Sequence, residues 1–585
     1  MTTSLGIYYR EIWLVDFEYG SIPGNPPEIR CMVAREFFSG RTIRLWEDHL
    51  RVLPEPPFSI GPQSLFIAYF ASAELGCFLA LDWTFPQRIL DLCVEFKRLT
   101  CGLRVPAGRG LLGALAYYGI DSIETAEKEG MRQLALRGGH YSGQEKGDLL
   151  DYCQTDVDAL ARLLPAMEPA IDLPRALLRG RYMMAVARME NVGTPIDTKA
   201  LATLREHWDD IKLALIKQLN VGREIYEGLS FRIQRFVDYL TVSNIPWPLL
   251  ESGRPALDDD TFRGMAKLYP AEIGPIRELR YALSSLRLND LAVGSDGRNR
   301  CMLSPFASRT SRNQPSNSKF IFGPAVWLRS LIKPTAGQAL AYIDYEQQEF
   351  ALAAALSGDE AMMEAYRSGD PYLAFARQAN AVPCDATKQS HQTERERFKV
   401  CALAVQYGMG AASLAEKLGE SKARGKSLLD LHKNTYPTYW HWSDSVEARA
   451  VLTGTLHSTF GWTVHADAGA NPRSLRNFPL QANGAEMLRL ACCMATEGGI
   501  RVCAPIHDAL LVEAPIGDIE NVVRQTRAIM QEASEQVVPG FPLRTDAEIV
   551  RWPERYLDPR GEAMWIATGE TLSGLGYPLE EGCRP

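Results

Sequence analysis

The chain has 585 residues, of which 46% are hydrophobic and 23% charged, and its formal net charge is −8 at pH 7. This length predicts about three to five domains, and the composition excludes a disordered, collagen-like or coiled-coil protein. No apolar run reaches the roughly 18 residues of a membrane span, and the start MTTSLGIYYR lacks the layout of a signal peptide. The twelve cysteines show no zinc-binding spacing. We therefore expect a protein of a reducing, cytoplasmic compartment without a membrane partner.

The first predicted unit spans residues 1–164 and mixes strands with helices. EIWLVDFEYG and IRCMVAREFF are apolar segments typical of strands, whereas ETAEKEGMRQLALR and DLLDYCQTDVDALARLL have helical periodicity. Pro165, Pro169 and Pro174 then fall within ten residues and predict a stiff boundary.

The remaining chain is predicted to be mainly helical around two short strand regions. Helical patterns run from 175 to about 300, with a turn at ENVGTPID and a break at IPWPLLESGRP. The strand QALAYIDY and the helix QQEFALAAALSGD follow, and helices dominate from 359 to about 450. A strand pair in TLHSTFGWTVH, the helix ANGAEMLRLACCMATEGG and the strand–turn–strand RVCAPIHDALLVEAP complete the pattern.

Local charge is more informative than net charge. Residues 298–343 contain seven Lys or Arg and no Asp or Glu, and the first acidic residue after them is Asp344. A basic stretch that leads into a carboxylate suits a polyanion and a metal ion. A solvated basic loop is the alternative interpretation.

Paired carboxylates mark the N-terminal unit. Asp16 and Glu18 are two residues apart on a predicted strand and therefore share a face. The two carboxylates repel each other unless a cation lies between them, and the usual cation is Mg²⁺ or Mn²⁺, which prefers oxygen ligands. Tyr152 and Asp156 share a helix face at i, i+4, and Glu74 lies between these motifs in a small-residue, apolar setting.

Three further motifs place polar residues where strands and helices end. Asp344 ends a predicted strand, with Glu349 one turn into the next helix, and His507 and Asp508 form a hairpin tip. A helix cap, a solvated face or an ordinary turn would explain each motif alone. Two cations one helical turn apart can grip a triphosphate, and the helix ERERFKVCALAVQYGMG carries a stripe spaced by four: Arg395, Lys399, Leu403 and Tyr407.

In this order, the N-terminal motifs resemble the 3′–5′ proofreading exonuclease domain whose signature is three Asp, one Glu and one Tyr. The resemblance implies an α/β domain with an RNase H-like mixed sheet. It also implies that Tyr152 orients a water molecule and that Asp16 is shared by two metal ions. The implied metal ligands are Asp16, Glu18, Glu74 and Asp156. Glu74 departs from the family, which has Asp at this position.

The C-terminal motifs resemble motifs A, B and C of family A, polymerase I-like DNA polymerases. The implied fold is a right-hand polymerase with an α+β palm and a helical thumb and fingers, following the exonuclease domain. The predicted ranges are 1–164 for the exonuclease, 175–300 for the thumb, 301–355 and 485–585 for the palm, and 356–484 for the fingers and a connecting segment.

The resemblance assigns the chemistry of nucleotide addition to the motif residues. Asp344 and Asp508 would hold two Mg²⁺ ions, as the exonuclease ligands would hold two more, with Mn²⁺ as a substitute. Lys399 would bind the triphosphate and act as a general acid toward pyrophosphate, and Arg395 would clamp the β- and γ-phosphates. Glu349 would be the steric gate against ribonucleotides.

The remaining site residues would bind the nucleotide or the DNA. Tyr407 would close over the nascent pair, and Leu403 stands where the family usually has Phe or Tyr. Ala509 likewise replaces the usual Glu after motif C, which predicts altered metal use. His507 would approach the primer terminus. Minor-groove acceptors are nearly alike in every base pair, and the residues aligned with groove-reading positions are Arg309, Arg473, Asn477 and Gln481, with Ser311 beside Arg309.

These implications predict a monomeric DNA-directed DNA polymerase with proofreading, acting on primer–template DNA and dNTPs. A compact polymerase of this kind resembles a bacteriophage replicase, which would work in the host cytoplasm; replisome partners cannot be predicted. Three alternatives stay open: an inactive exonuclease domain, a member specialised for 2-aminoadenine nucleotides, and a nuclease whose C-terminal module merely holds DNA. RNA synthesis is disfavoured while Glu349 gates the sugar.

Overall fold

The computed structural model describes residues 4–121, 125–285, 288–323, 325–466 and 469–579. The predicted domain ranges also include residues 1–3, 122–124, 286–287, 324, 467–468 and 580–585, which lie outside the described residues. Within the described ranges, no helix combines the length and apolar character of a membrane span.

The N-terminal unit is built on a five-stranded mixed sheet of order β3-β2-β1-β4-β5. β1 pairs antiparallel with β2, and β4 and β5 continue parallel to β1. The predicted strands and helices are present, as is the mixed sheet. The elements are β1 (Glu11–Gly20), β2 (Glu28–Glu36), β3 (Thr42–Trp46), α1 (Glu47–Leu50), β4 (Ser64–Ala68), α2 (Ala71–Ala80), β5 (Ile89–Asp91), α3 (Leu92–Thr100), α4 (Leu111–Tyr117), α5 (Thr125–Arg137) and α6 (Gly143–Met167).

The proline-rich segment does not separate the chain where the sequence suggested. Pro165 lies inside α6, which continues to Met167. Pro174 lies in the first turn of the next helix, where its missing N–H had no intrahelical partner to lose. The prolines therefore do not form a long linker: α6 and the next helix are separated only by a short segment that contains the 3₁₀ turn Glu168–Ala170.

The following region is helical, as predicted, with small two-stranded pairs. Gly193 has φ of +62°, a left-handed conformation that favours glycine, and it ends the first helix at the predicted turn. The elements are α7 (Leu173–Val192), β6 (Thr194–Pro195), α8 (Thr198–Glu206), α9 (Trp208–Asn220), β7 (Tyr226–Glu227), β8 (Ser230–Phe231), α10 (Ile233–Val242), α11 (Asp259–Leu268), α12 (Gly274–Ser285) and β9 (Arg298–Asn299).

The C-terminal half surrounds an antiparallel sheet of order β13-β14-β10-β15, in which β10 comes about 150 residues before the other three strands along the chain. Seven helices separate β10 from the next strands. The elements are β10 (Gln338–Tyr345), α13 (Gln348–Ser357), α14 (Glu360–Arg367), α15 (Pro371–Gln378), α16 (Gln392–Gln406), α17 (Ala411–Leu418), α18 (Lys422–Thr435), α19 (Pro437–Thr453), β11 (Thr455–His457), β12 (Thr463–His465), α20 (Pro472–Glu497), β13 (Arg501–Ile506), β14 (Ala509–Pro515), α21 (Ile519–Val537), β15 (Thr545–Arg551) and α22 (Glu562–Gly574).

Helix α7 connects the two sheets. It packs against α2 and β5 on one side and against α20 and β13 on the other. Arg179 on α7 makes two hydrogen bonds, of 2.5 and 2.9 Å, to the carboxylate of Glu95 on α3, and both side chains are buried. Breaking such a pair leaves an uncompensated buried charge, so this contact fixes the N-terminal unit against the rest of the chain.

Candidate active sites

Two aspartates meet at one edge of the four-stranded sheet. Asp344, near the end of β10, pairs in register with Ala509 at the start of β14. The N–H of Tyr345 donates to the carbonyl oxygen of Asp508 over 3.3 Å. His507 has φ of +54°, so the β13–β14 hairpin turns tightly at this point. The hairpin thus brings Asp508 beside Asp344 from more than 160 residues away along the chain.

A third carboxylate lies next to this pair. Asp546 on β15 is directly opposite Asp344, on the other side of β10 from Asp508, and opposite residues of an antiparallel pair share a face. Burial, followed by the charges of Asp508 and Asp546, raises the pKa of Asp344 to about 6. The sequence analysis missed Asp546 because only the register of β15 reveals it.

The electrostatics of these carboxylates fit a divalent cation. Burial also raises the pKa of Asp508, although its own backbone and Arg312 oppose the shift. Carboxylates that are partly desolvated and repel one another are stabilised by a cation with oxygen ligands. Asp344 and Asp508 are therefore candidate ligands for a divalent cation.

The basic segment before β10 contributes Arg312 rather than Arg309 to this site. Arg312 Nη2 lies 3.9 Å from Glu349 Oε1, and Arg312 lines a cavity together with His507. The carbonyl of Arg309 instead accepts hydrogen bonds from Cys101 and Trp462. The sequence contained a signal for this difference, because residues 310–312 read Thr-Ser-Arg and place a second arginine three positions after Arg309.

The predicted stripe on α16 is present, and its last member reaches across to α13. Tyr407 caps α16 and donates a hydrogen bond of 2.9 Å to Glu349 Oε1. Burial and then the charge of Glu349 raise the pKa of Tyr407 to about 12, so the hydroxyl remains a donor at neutral pH. The side chains of Lys399 and Leu403 are half-buried along the same helix.

Helix α20 begins beside the end of α16. Arg473 packs against Gly408, where an added Cβ would lie 2.9 Å from Arg473 Cγ. Asn477 and Gln481 follow at four-residue spacing on the same helix face. The buried Oδ1 of Asn477 has no hydrogen-bond partner among the described residues, which leaves an acceptor for a bound group.

The N-terminal carboxylates form a compact cluster. Asp16, Glu18 and Asp156 each offer an oxygen, and these atoms lie within 4.8 Å of one another. Tyr152 lies on the same helix as Asp156, and burial, then the charges of Asp156 and Glu18, raises the pKa of its hydroxyl. The cluster therefore concentrates negative charge in the way that a divalent cation site does.

Glu74 faces this cluster from α2. Its side chain is buried, and burial followed by the charges of Asp16 and Glu18 raises its pKa well above the usual range. Its Oε2 is buried without a hydrogen-bond partner among the described residues. Behind the cluster, Cys153 Sγ donates to the carbonyl and to Oδ2 of Asp16, over 3.2 and 3.3 Å. An orphaned buried oxygen beside three carboxylates fits a metal ligand.

Comparisons with known proteins find their family match in the C-terminal half of the chain. Residues 323–552 match the model of DNA polymerase family A. The chain is 27% identical over 424 residues to a DNA polymerase of Mycobacterium phage L5, which covers 69% of this chain and 67% of that protein. It is 27% identical over 226 residues to the thermostable DNA polymerase I of Thermus caldophilus, covering 36% of this chain and 27% of that protein.

A solved structure extends the likeness to nearly the whole chain. The POL domain of Pol1 from M. smegmatis, in complex with DNA primer-template and dNTP, superposes with a TM-score of 0.68 at 18% identity. It covers 94% of this chain and 96% of that domain, so the two share a fold. The chain spans about a quarter of the Thermus relative and two fifths of the DNA polymerase of Mycobacterium phage D29. Residues 323–552, which contain Asp344 and Asp508, therefore resemble DNA polymerase family A, and nearly the whole chain shares the fold of the M. smegmatis domain.

Proposed function

We propose that this chain is a template-directed DNA polymerase that adds deoxynucleotides to a primer 3′ end. The observation that carries the proposal is the meeting of Asp344 and Asp508 at one sheet edge, next to Glu349 and the fingers helix α16. The relatives named as DNA polymerases, and the M. smegmatis structure described with primer–template and dNTP, support DNA and dNTPs as the partners.

The palm residues have a defined part in this reaction. Asp344 and Asp508 would hold Mg²⁺, with Mn²⁺ as a substitute, and bound divalent ions supply charge neutralisation for an in-line phosphoryl transfer. Because phosphoryl transfer depends mainly on position and charge, the protein's task is to hold both carboxylates in place. The sheet register does so for Asp344, and the hairpin turn does so for Asp508.

The fingers and palm together would select the nucleotide. Lys399 and Arg395 bind the triphosphate, and Lys399 donates a proton toward the departing pyrophosphate. Glu349, held by Tyr407, occupies the space that a ribose 2′-hydroxyl would need. Leu403 contributes an apolar surface on the same helix.

The DNA would lie against the palm and α20. We propose that Arg312 and His507 contact the primer terminus, since both line one cavity beside Asp508. On α20, groove contacts come from Arg473, Asn477 and Gln481. Arg309 remains a proposed DNA contact outside this cavity.

We further propose that the N-terminal unit is a 3′–5′ exonuclease that removes mispaired primer ends. Two Mg²⁺ ions would be held there by Asp16, Glu18, Glu74 and Asp156, and Tyr152 would orient the attacking water. The support is the close approach of three carboxylates and the unpartnered buried oxygen of Glu74. The same proposal includes phage genome replication in the host cytoplasm by a monomeric enzyme.

One primer–template experiment separates the alternatives. A labelled primer is incubated with Mg²⁺, with and without the four dNTPs, and again with 2-aminoadenine triphosphate in place of dATP. Extension with dNTPs and shortening without them is the expected result. Shortening alone would make the chain a nuclease, extension alone would leave the exonuclease inactive, and a preference for 2-aminoadenine would identify a specialised member.

A further inference from the structure

A carboxylate lies between the two cations assigned to the triphosphate. Arg395 Nη1 donates a hydrogen bond of 2.6 Å to Glu396 Oε1. The other carboxylate oxygen, Oε2, lies 3.8 Å from Lys399 Nζ. One side chain of α16 therefore neutralises, at least in part, both groups that would grip the phosphates.

A ligand could displace the carboxylate of Glu396 from Arg395 and Lys399. Its side chain is 49% exposed, and that of Lys399 is 41% exposed, whereas Arg395 is only 13% exposed. Exposed ion pairs contribute little to stability because solvent screens them and the long side chains lose freedom. The carboxylate can therefore leave the cations at small cost, while Arg395 stays in place.

Arg395 has a second acidic partner with a different character. Its Nε donates a 2.5 Å hydrogen bond to Asp370 Oδ2, and the other carboxylate oxygen of Asp370 accepts from the N–H of Leu373 as the cap of α15. A carboxylate tied to a helix start cannot swing away as Glu396 can. Asp370 thus orients the guanidinium through Nε, and Glu396 occupies Nη1.

We infer that Glu396 is an internal competitor of the incoming nucleotide's triphosphate and lowers the affinity of the enzyme for dNTPs. Carboxylate and phosphate oxygens accept from the same charged N–H donors, so the nucleotide must displace Glu396 or share the cations with it. Asp370, by contrast, raises that affinity by holding Arg395 in position. This inference rests on the proposed polymerase function and concerns residues that the family motif leaves unassigned.

The test measures the Kd of dGTP opposite template C on a primer ended by a dideoxynucleotide, which reports binding without catalysis. Glu396→Gln is expected to lower this Kd about two- to fivefold, the size of an exposed ion pair. In extension assays KM should fall by the same factor at unchanged kcat. The effect should shrink as salt is raised, because exposed charges are screened.

Two matched variants make the result specific. Glu394→Gln removes one charge from the same helix, and Glu394 forms no ion pair with the described residues; its Kd should stay unchanged. Asp370→Asn keeps a capping side chain but loses the charge on Arg395, and its Kd should rise. An unchanged or weaker affinity in Glu396→Gln, or an equal gain in Glu394→Gln, would overturn the inference. If the unmodified enzyme extends primers normally, such a result leaves the polymerase function intact; if it binds no dGTP and extends no primer, the proposed function fails.

Discussion

Tyr407, at the end of α16, donates a 2.9 Å hydrogen bond to Glu349 Oε1 at the start of α13. The contact joins α16 to α13, the helix that follows the Asp344 strand. It fixes the carboxylate of Glu349 at the entrance to the proposed nucleotide site. Arg312 Nη2 also lies 3.9 Å from this oxygen.

Loss of this contact should weaken discrimination against ribonucleotides. Tyr407→Phe removes a hydrogen bond to a charged group, worth about 1.5–3 kcal/mol, so the preference for dGTP over GTP should fall about tenfold or more. Glu349→Ala should reduce it further. The measurement is kcat/KM for each nucleotide on one primer–template, with Tyr436→Phe as a control because its hydroxyl bonds to Gln378 instead. Unchanged discrimination in Glu349→Ala would remove Glu349 from the sugar contact.

Arg312, rather than Arg309, should be the arginine that supports the primer terminus. Arg312→Ala is expected to lower kcat/KM for extension by about 10- to 100-fold, the value of one or two charged hydrogen bonds. Arg309→Ala should have a smaller effect, and Arg312→Lys should restore part of the loss. The measurement is single-nucleotide extension, and a larger loss in Arg309→Ala than in Arg312→Ala would reverse the assignment.

The sequence predicted the strands that carry the two carboxylate clusters, because apolar strands that end in acidic residues are visible without a structure. It also predicted the stripe of residues along α16, because a four-residue spacing on one helix can be read from neighbouring sequence alone. It could not predict Asp546 beside Asp344, because the register of β15 depends on a pairing across about 200 residues. Arg312 was missed because the basic segment holds two arginines three positions apart, Arg309 and Arg312, and their spacing alone does not show which one reaches the site. Pro165 was expected at a boundary, whereas it lies inside α6, which ends at Met167.

Glu74 should contribute to shortening of the primer even though it departs from the family residue. Glu74→Gln keeps the size of the side chain and removes its charge, and the rate of shortening in Mg²⁺ should fall about 10- to 100-fold, as for lost support of a metal site. In EDTA the same variant should have a higher Tm, because a buried carboxylate no longer faces Asp16 and Glu18. Glu55→Gln, on the surface, serves as the control. A normal rate of shortening in Glu74→Gln would show that the remaining carboxylates suffice.

Glu190 should make the folded protein less stable as the pH rises. Burial raises the pKa of this carboxyl from 4.5 to about 8, although it accepts a 2.6 Å hydrogen bond from the N–H of Leu303. The folded state therefore holds a proton that the unfolded state releases, and stability is lost between about pH 4.5 and pH 8. Glu190→Gln should show a gain in Tm that grows across this window, measured by thermal unfolding at each pH. A gain that is the same at pH 5 and pH 8 would contradict a carboxyl that stays protonated in the folded protein.

The most direct test of the two-site account uses one gel with three proteins: the unmodified chain, Asp508→Asn and Asp16→Ala. Each is incubated with a labelled primer–template and Mg²⁺, with and without dNTPs. We predict that Asp508→Asn loses extension by about a hundredfold or more, as expected for several kcal/mol of lost charge stabilisation, and still shortens the primer. Asp16→Ala should extend the primer and no longer shorten it. Extension that survives in Asp508→Asn, or the loss of both activities in either variant, would contradict two separate carboxylate sites.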